Sequence, residues 1–170
     1  AQAIQLGEAD IVVAGGTENM SQAPYLLPNF RWGQKMGNTD LIDSMVLDGL
    51  TDAFEHIHMG VTAEKVAEVH DVSREEQDEF ALQSQLKASL AQKSGKFKDE
   101  IVPVTVKNGK LESLFCDDEY IRHDISMEGL KKLKPAFVDN GSVTAGNSSG
   151  LNDGAACVVL MKKSLAAKRN

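Results

Sequence analysis

The sequence predicts an α/β fold, and three observations carry that prediction. Residues 1–7 (AQAIQLG) read as the last turns of a helix closed by Gly7, and DIVVA at 10–14 follows as a short buried strand, turning sharply at Gly15-Gly16. Residues 157–161 (CVVLM) are a second apolar, β-branched run with the length of a buried strand. Between them, Ser73-Arg74-Glu75-Glu76 is a capping box, and Phe80, Leu82, Leu86 and Leu90 recur at helical spacing until Gly95. That stripe predicts one amphipathic helix of about twenty residues with its apolar side in the core.

Composition removes several function classes. The 170 residues are 42% hydrophobic and 25% charged, which fits one domain or one domain with an insertion. No apolar run approaches the roughly eighteen residues of a membrane span, so a membrane protein is not expected. Twenty-five acidic against 18 basic residues give a net charge of −7, which disfavours nucleic acid as a partner. Cys116 and Cys157, the only cysteines, have neither a metal-ligand spacing nor a disulfide framework, so no metal site and a reducing compartment are expected. The first residues look like a helix already under way and the last like a helix barely begun, so a piece of a longer protein is expected.

Taken in order, GGTENMS at 15–21 follows the first strand, either as a ligand-facing rim or as a plain tight turn. Residues 22–40 lose all periodicity but keep Tyr25, Leu26, Leu27, Phe30 and Trp32, an apolar excursion that packs either on its own domain or on another subunit. A helix is expected to open at Thr62, with Val61, Val66 and Val69 near one face and His58 just before its N-terminus, where the partial positive charge favours a neutral imidazole. His58 there is structural or functional. Ile101 to Val106 alternates, Pro103 marks a strand end or edge, and Asn108-Gly109 signals a hairpin into Leu111. Arg122, Lys131, Lys132 and Lys134 make one local basic cluster, suited to a phosphorylated ligand or simply a solvated helix face ended by Pro135. Residues 142–156 (SVTAGNSSGLNDGAA) then form a small-residue run before the second strand, either a surface loop or a place where backbone approaches a ligand closely.

GGTENMS, HMGVTAEKVAE, RHDISMEGLKKLKPAF and GSVTAGNSSGLNDGAA, in that order and at these separations, resemble the middle of a thiolase of the biosynthetic, acetyl-CoA C-acetyltransferase type. The resemblance covers essentially the whole chain, and the last motif is the most specific. A histidine before Met59-Gly60 favours the biosynthetic type. The resemblance implies a thiolase fold: an αβαβα core half, incomplete here, with an inserted α+β loop domain that holds coenzyme A (CoA). Residues 1–21 then end the N-terminal core half, 22–137 form the loop domain with its tetramerisation loop at about 22–40 and its CoA-binding part at about 41–137, and 138–170 return to the core.

The same resemblance implies the site residues. Ser149 matches the serine that hydrogen-bonds the pantetheine arm, with Ala145 beside it, and Gly146 and Gly150 leave room for that arm. His58 and Met59 line the pantetheine and acyl end, Leu50 and Phe137 its apolar walls, and Ala136 the same surface. Arg122 matches the arginine beside the adenine nucleotide. Several relatives place a CoA-contacting serine where this chain has Gly129, a departure from the pattern at the adenine end.

The implied chemistry joins two acetyl-CoA into acetoacetyl-CoA and CoA, or reverses it, through a cysteine acyl-enzyme. The nucleophilic cysteine is expected upstream of this chain, and the histidine and second cysteine downstream. Cys116 and Cys157 match no catalytic motif. No cofactor is expected, since the CoA thioester is substrate, and the implied full-length protein is a cytoplasmic homotetramer without membrane or nucleic-acid partners. The isolated 170 residues are expected to be inactive. The alternative is a thiolase-like acyl-CoA or lipid binding protein without catalysis.

Overall fold

In chain order the elements are α1 (Gln2–Gln5), β1 (Ile11–Glu18), β2 (Tyr25–Leu26), β3 (Ile42–Asp43), α2 (Met59–Val69), α3 (Arg74–Lys93), β4 (Val104–Asn108), β5 (Leu111–Phe115), α4 (Met127–Lys131), β6 (Gly154–Met161) and α5 (Lys163–Arg169). This is a computed structural model, and it describes residues 1–109 and 111–169. The mixture of helices and strands is the predicted α/β class. Two compact units are present, residues 1–51 with 150–170 and residues 52–149.

In the first unit β1 and β6 pair antiparallel over eight residues each, from Ile11 opposite Met161 to Glu18 opposite Gly154. The expected turn at Gly15-Gly16 is therefore corrected: both glycines lie within β1. A Cβ on Gly15 would come 2.6 Å from the Ala156 carbonyl oxygen and 2.9 Å from Cys157 Cβ, so this glycine serves a close strand-to-strand approach rather than a bend. The expectation of buried strands also fails within this chain, since Val13 is 67% exposed, its partner Val159 59% and the neighbouring Val158 58%. A two-stranded ribbon has only one neighbour per strand, so a β-branched run alone does not bury its faces. The irregular stretch after β1 holds 3-10 turns at Met20–Gln22 and Phe30–Trp32, the short β2–β3 pair, and a π turn at Met45–Gly49. Its aromatic residues are only partly covered by their own unit: Trp32 is 91% exposed, and Tyr25 and Phe30 remain exposed.

In the second unit α2 starts at Met59, three residues earlier than expected, because His58 itself is the N-cap. Its inward positions are Val61, Glu64 and Ala67, while Val66 and Val69 are exposed, which corrects the expected valine face. The capping box on α3 forms in both directions between Ser73 and Glu76. The apolar stripe of α3 is the larger correction. Phe80 is 78% exposed and Leu86 and Leu90 are exposed, whereas Asp78 and Ser89 are buried.

The inward face of α3 keeps half-buried Ala81, Leu82 and Ala88 but also carries polar side chains, because part of what packs on it is irregular chain with polar groups to satisfy. Gln85 Oε1 accepts the Arg122 amide at 2.8 Å, Ser89 Oγ bonds His123 Nδ1 at 2.7 Å, and Gln92 Nε2 donates to the Asp118 carbonyl at 3.3 Å. The β4–β5 hairpin forms as predicted, with Pro103 just before the first strand and Gly109 at φ +63. Helix α4 stops at Lys131 rather than at Pro135, and Pro135 instead forms a bridge with Thr144. Among the described residues no helix is long and apolar enough to cross a membrane.

Candidate functional site

Two adjoining segments of the second unit carry most of the predicted contacts. One is His58-Met59-Gly60 at the start of α2, and the other is the chain from Leu133 to Ser149. His58 Nδ1 accepts the Gly60 amide hydrogen at 2.9 Å, which fixes the ring as a helix cap with Nδ1 as acceptor. The Phe137 ring stacks on that imidazole with centroids 4.8 Å apart and planes at 27°. The absence of a side chain at Gly60 makes the contact possible, because a Cβ there would clash with Phe137 ring carbons Cγ, Cδ1 and Cδ2. His58 and Phe137 thus form one wall, half-buried, with the Met59 side chain exposed beside it.

The loop at 142–149 is held by charged and amide side chains from α2 and α3. The Glu64 carboxylate accepts from the Ser142 amide at 2.9 and 3.0 Å, the Ser142 hydroxyl at 2.8 Å and the Val143 amide at 2.8 Å. Partial burial alone would raise the Glu64 pKa, but these donors outweigh it and hold the carboxyl below its ordinary range. Gln77 Nε2 donates to Ser142 Oγ at 2.9 Å. Asn147 Oδ1 accepts the Thr144 amide at 2.7 Å, and its Nδ2 donates to Asp78 Oδ1 at 3.0 Å and to the Ser142 carbonyl at 3.1 Å. Thr144 is fully buried at 0% exposure, and the Ala136 amide donates to the Val143 carbonyl at 2.9 Å, tying this loop to the Phe137 segment.

The structure brings only some of the predicted residues into contact. His58 touches Phe137, Met59 and Ala136 adjoin them in sequence, and Ala145 and Ser149 lie exposed on the held loop. Arg122 is exposed in the turn before α4, fixed through its backbone to Gln85 on α3. Leu50 belongs to the other unit, half-buried at the end of the π turn. Gly146 does not open room for a ligand as expected: a Cβ there would meet Leu133 Cδ1 at 2.5 Å and Leu130 Cδ2 at 2.6 Å, so leucines already fill its free side. The second unit also has an open cavity of about 420 Å³ lined by Glu64, Glu68, Asp71, Arg74 and Asn140, and none of the eight predicted contacts lines it. Cys157 lies exposed on β6 and Cys116 is half-buried after β5. Among the described residues no group of three or more His, Cys, Asp or Glu is arranged to hold a metal.

Sequence reasoning passed over Glu64, Arg74, Asp78 and Asn147, which shape the loop without being predicted to touch a ligand. A signal for two of them existed. Arg74 and Asp78 stand four apart at the start of a capped helix, where an ion pair forms between neighbouring turns, and their nitrogen and oxygen are 2.7 Å apart.

Comparison with known proteins gives one answer throughout. The chain is 60% identical over 162 residues to the acetyl-CoA acetyltransferase of Chromobacterium violaceum, covering 95% of this chain and 41% of that protein. It is 54% identical over 170 residues to the beta-ketothiolase BktB of Cupriavidus necator, covering 99% of this chain and 43% of that protein. Among solved structures, the acetyl-CoA acetyltransferase of Bacillus anthracis matches with a TM-score of 0.89 at 48% identity, over 98% of this chain and 42% of that one. Human mitochondrial 3-ketoacyl-CoA thiolase matches with a TM-score of 0.89 at 43% identity, over 99% of this chain and 42% of that one. The chain spans about two fifths of the length of the relatives it matches. The family profile for the thiolase N-terminal domain matches residues 1–164, and the chain belongs to the thiolase family.

Proposed function

We propose that this chain is the CoA-thioester-binding portion of an acetyl-CoA C-acetyltransferase that interconverts two acetyl-CoA with acetoacetyl-CoA and CoA. The observation that carries the reading is the 60% identity, over 95% of the chain, to an acetyl-CoA acetyltransferase. The local geometry supports it. A flat wall of stacked His58 and Phe137 suits the thin pantetheine and acyl end of a thioester, and the exposed Ser149 hydroxyl on a tightly held loop suits an amide of the arm. Arg122, exposed and free of any recorded ion pair among the described residues, suits the nucleotide end.

In this reading the chemistry is done by groups outside these residues. A cysteine thiolate attacks the thioester carbonyl and releases CoA thiol, leaving an acyl-enzyme; a histidine activates that nucleophile. A second cysteine then takes a proton from the α-carbon of acetyl-CoA, and the resulting carbanion attacks the acyl-enzyme and restores the first thiolate. Fixed hydrogen-bond donors stabilise the developing enolate and tetrahedral oxyanion. The CoA thioester is substrate, and no further cofactor takes part. Within the complete polypeptide these 170 residues bind and orient the thioester; in isolation they are expected to show no turnover and weak or no CoA binding.

The family layout completes the proposal: residues 1–21 and 138–170 belong to the core half, and 22–137 to the loop domain. The exposed Tyr25, Phe30 and Trp32 support residues 22–40 as the contact that assembles a homotetramer, and the cytoplasm is the proposed compartment. The test is calorimetric titration with CoA together with acetoacetyl-CoA thiolysis, on the complete polypeptide and on Ser149→Ala and Arg122→Ala variants. Each substitution is expected to raise the KM for CoA roughly five- to tenfold, the loss of one polar contact. CoA binding without thiolysis would favour a non-catalytic thiolase-like binding protein instead, and a complete polypeptide with neither would sink the proposal.

A further inference from the structure

We propose that Arg74, Asp78 and Asn147 act as one positioning unit that, together with the direct backbone bridge from Pro135-Ala136 to Val143-Thr144, sets the separation between the two walls of the thioester site, the loop at 142–149 and the Ala136-Phe137 segment. The inference rests on the reading that those segments contact a CoA thioester. Asp78 is 1% exposed, on the inward face of α3 near its N-terminus. A carboxylate so placed is costly unless both oxygens are engaged, and here they are. Oδ2 takes the Arg74 Nε hydrogen at 2.7 Å and Oδ1 takes the Asn147 Nδ2 hydrogen at 3.0 Å.

Each partner then reaches a different wall. Arg74 Nη2 spans the Leu130 carbonyl at 2.8 Å and the Leu133 carbonyl at 3.1 Å, on the stretch that leads into Pro135-Ala136-Phe137. Asn147 closes the other loop on itself through the Thr144 amide and the Ser142 carbonyl, which fixes the backbone carrying Ala145 and Ser149. Leucines packed around Gly146 would fill the same space, but apolar contact has no direction and tolerates sliding. A guanidinium, a carboxylate and a primary amide in series leave one register in which every donor and acceptor is matched. None of the three side chains is itself a thioester contact in this reading; they act through Ser149, Ala145 and Phe137.

The test measures thiolysis kinetics and thermal midpoint for the complete polypeptide containing these residues, as wild type, Asp78→Asn and Asn147→Asp. The single substitutions are expected to raise the KM for CoA roughly tenfold while kcat stays within about threefold. If a single variant does not accumulate as folded protein, Arg74→Lys, which keeps the charge on Asp78 but loses the two-carbonyl span, is measured in its place with the same rise expected. A fall in thermal midpoint with KM unchanged or a loss confined to kcat would each overturn the positioning role while leaving the proposed function standing. A wild type that neither binds CoA nor catalyses thiolysis would overturn both.

Discussion

Replacing Glu64 by Gln tests whether the loop at 142–149 is fastened by a charge or only by shape. Glu64 accepts from three donors, the amides of Ser142 and Val143 and the Ser142 hydroxyl, at 2.8 to 3.0 Å. Gln keeps one oxygen, which can serve both amides, but turns the other acceptor into a donor facing a hydroxyl that already receives Gln77. Two amide bonds lose their charge assistance, at about 1 kcal/mol each, so about 2 kcal/mol of stability is expected to go. Glu64→Ala leaves all three donors without this acceptor; since Ser142 is only half-buried and water can serve part of it, about 3 kcal/mol is expected.

The pH dependence gives a second reading of the same perturbation. Because its hydrogen-bond donors depress the folded pKa of Glu64, the carboxylate's stabilisation is complete above its ordinary value of 4.5 and is lost as pH falls through the lower folded value. Urea unfolding at neutral pH should separate wild type from Glu64→Gln, and the gap should close progressively below about pH 4.5 as wild-type Glu64 takes up a proton. Amide hydrogen exchange at Ser142 and Val143 should quicken in the variant at neutral pH. Equal urea midpoints at neutral pH with parallel acid limbs would refute the charged clamp.

Two glycines give further tests. Gly60→Ala drives a methyl group against the Phe137 ring carbons and must break the stack on His58; about 2 kcal/mol of destabilisation is expected, read as a lower thermal midpoint with a changed near-UV aromatic signal. Gly146→Val forces Leu130 and Leu133 apart, and since Leu130 is one of the few buried apolar residues here, a loss of about 2 kcal/mol with weaker CoA binding is expected; an unchanged midpoint would contradict the packing described.

What the sequence disclosed and what it concealed divide along one physical line. The Ser73–Glu76 capping box, the Asn108-Gly109 hairpin and His58 at a helix start were legible because each is complete within a few residues. The orientation of α3 was not. Periodicity says that Leu86 and Leu90 share a side, but not which side has a neighbour, and here the Arg122 amide, the His123 ring and the Asp118 carbonyl of irregular chain call for Gln85, Ser89 and Gln92 rather than leucine. Gly15-Gly16 misled for a related reason: glycine marks both a turn and a close approach of two strands, and the Ala156 carbonyl that decides between them lies far along the chain.

The candidate site shows the same division at finer scale. Family resemblance pointed to Ser149, His58 and Phe137 as contacts, while the groups that place them went unread because their partners are 56 to 79 residues away in sequence. Within the loop, Asn147 bonds to Thr144 and Ser142 and so determines its shape locally. Its position comes instead from two carboxylates on two different helices, Glu64 on α2 and Asp78 on α3. Shape and position are therefore separable by mutation. Asn147 is the one side chain that enters both, so altering it should disturb the loop's own conformation as well as its seat, whereas Glu64 and Asp78 variants should move an otherwise intact loop.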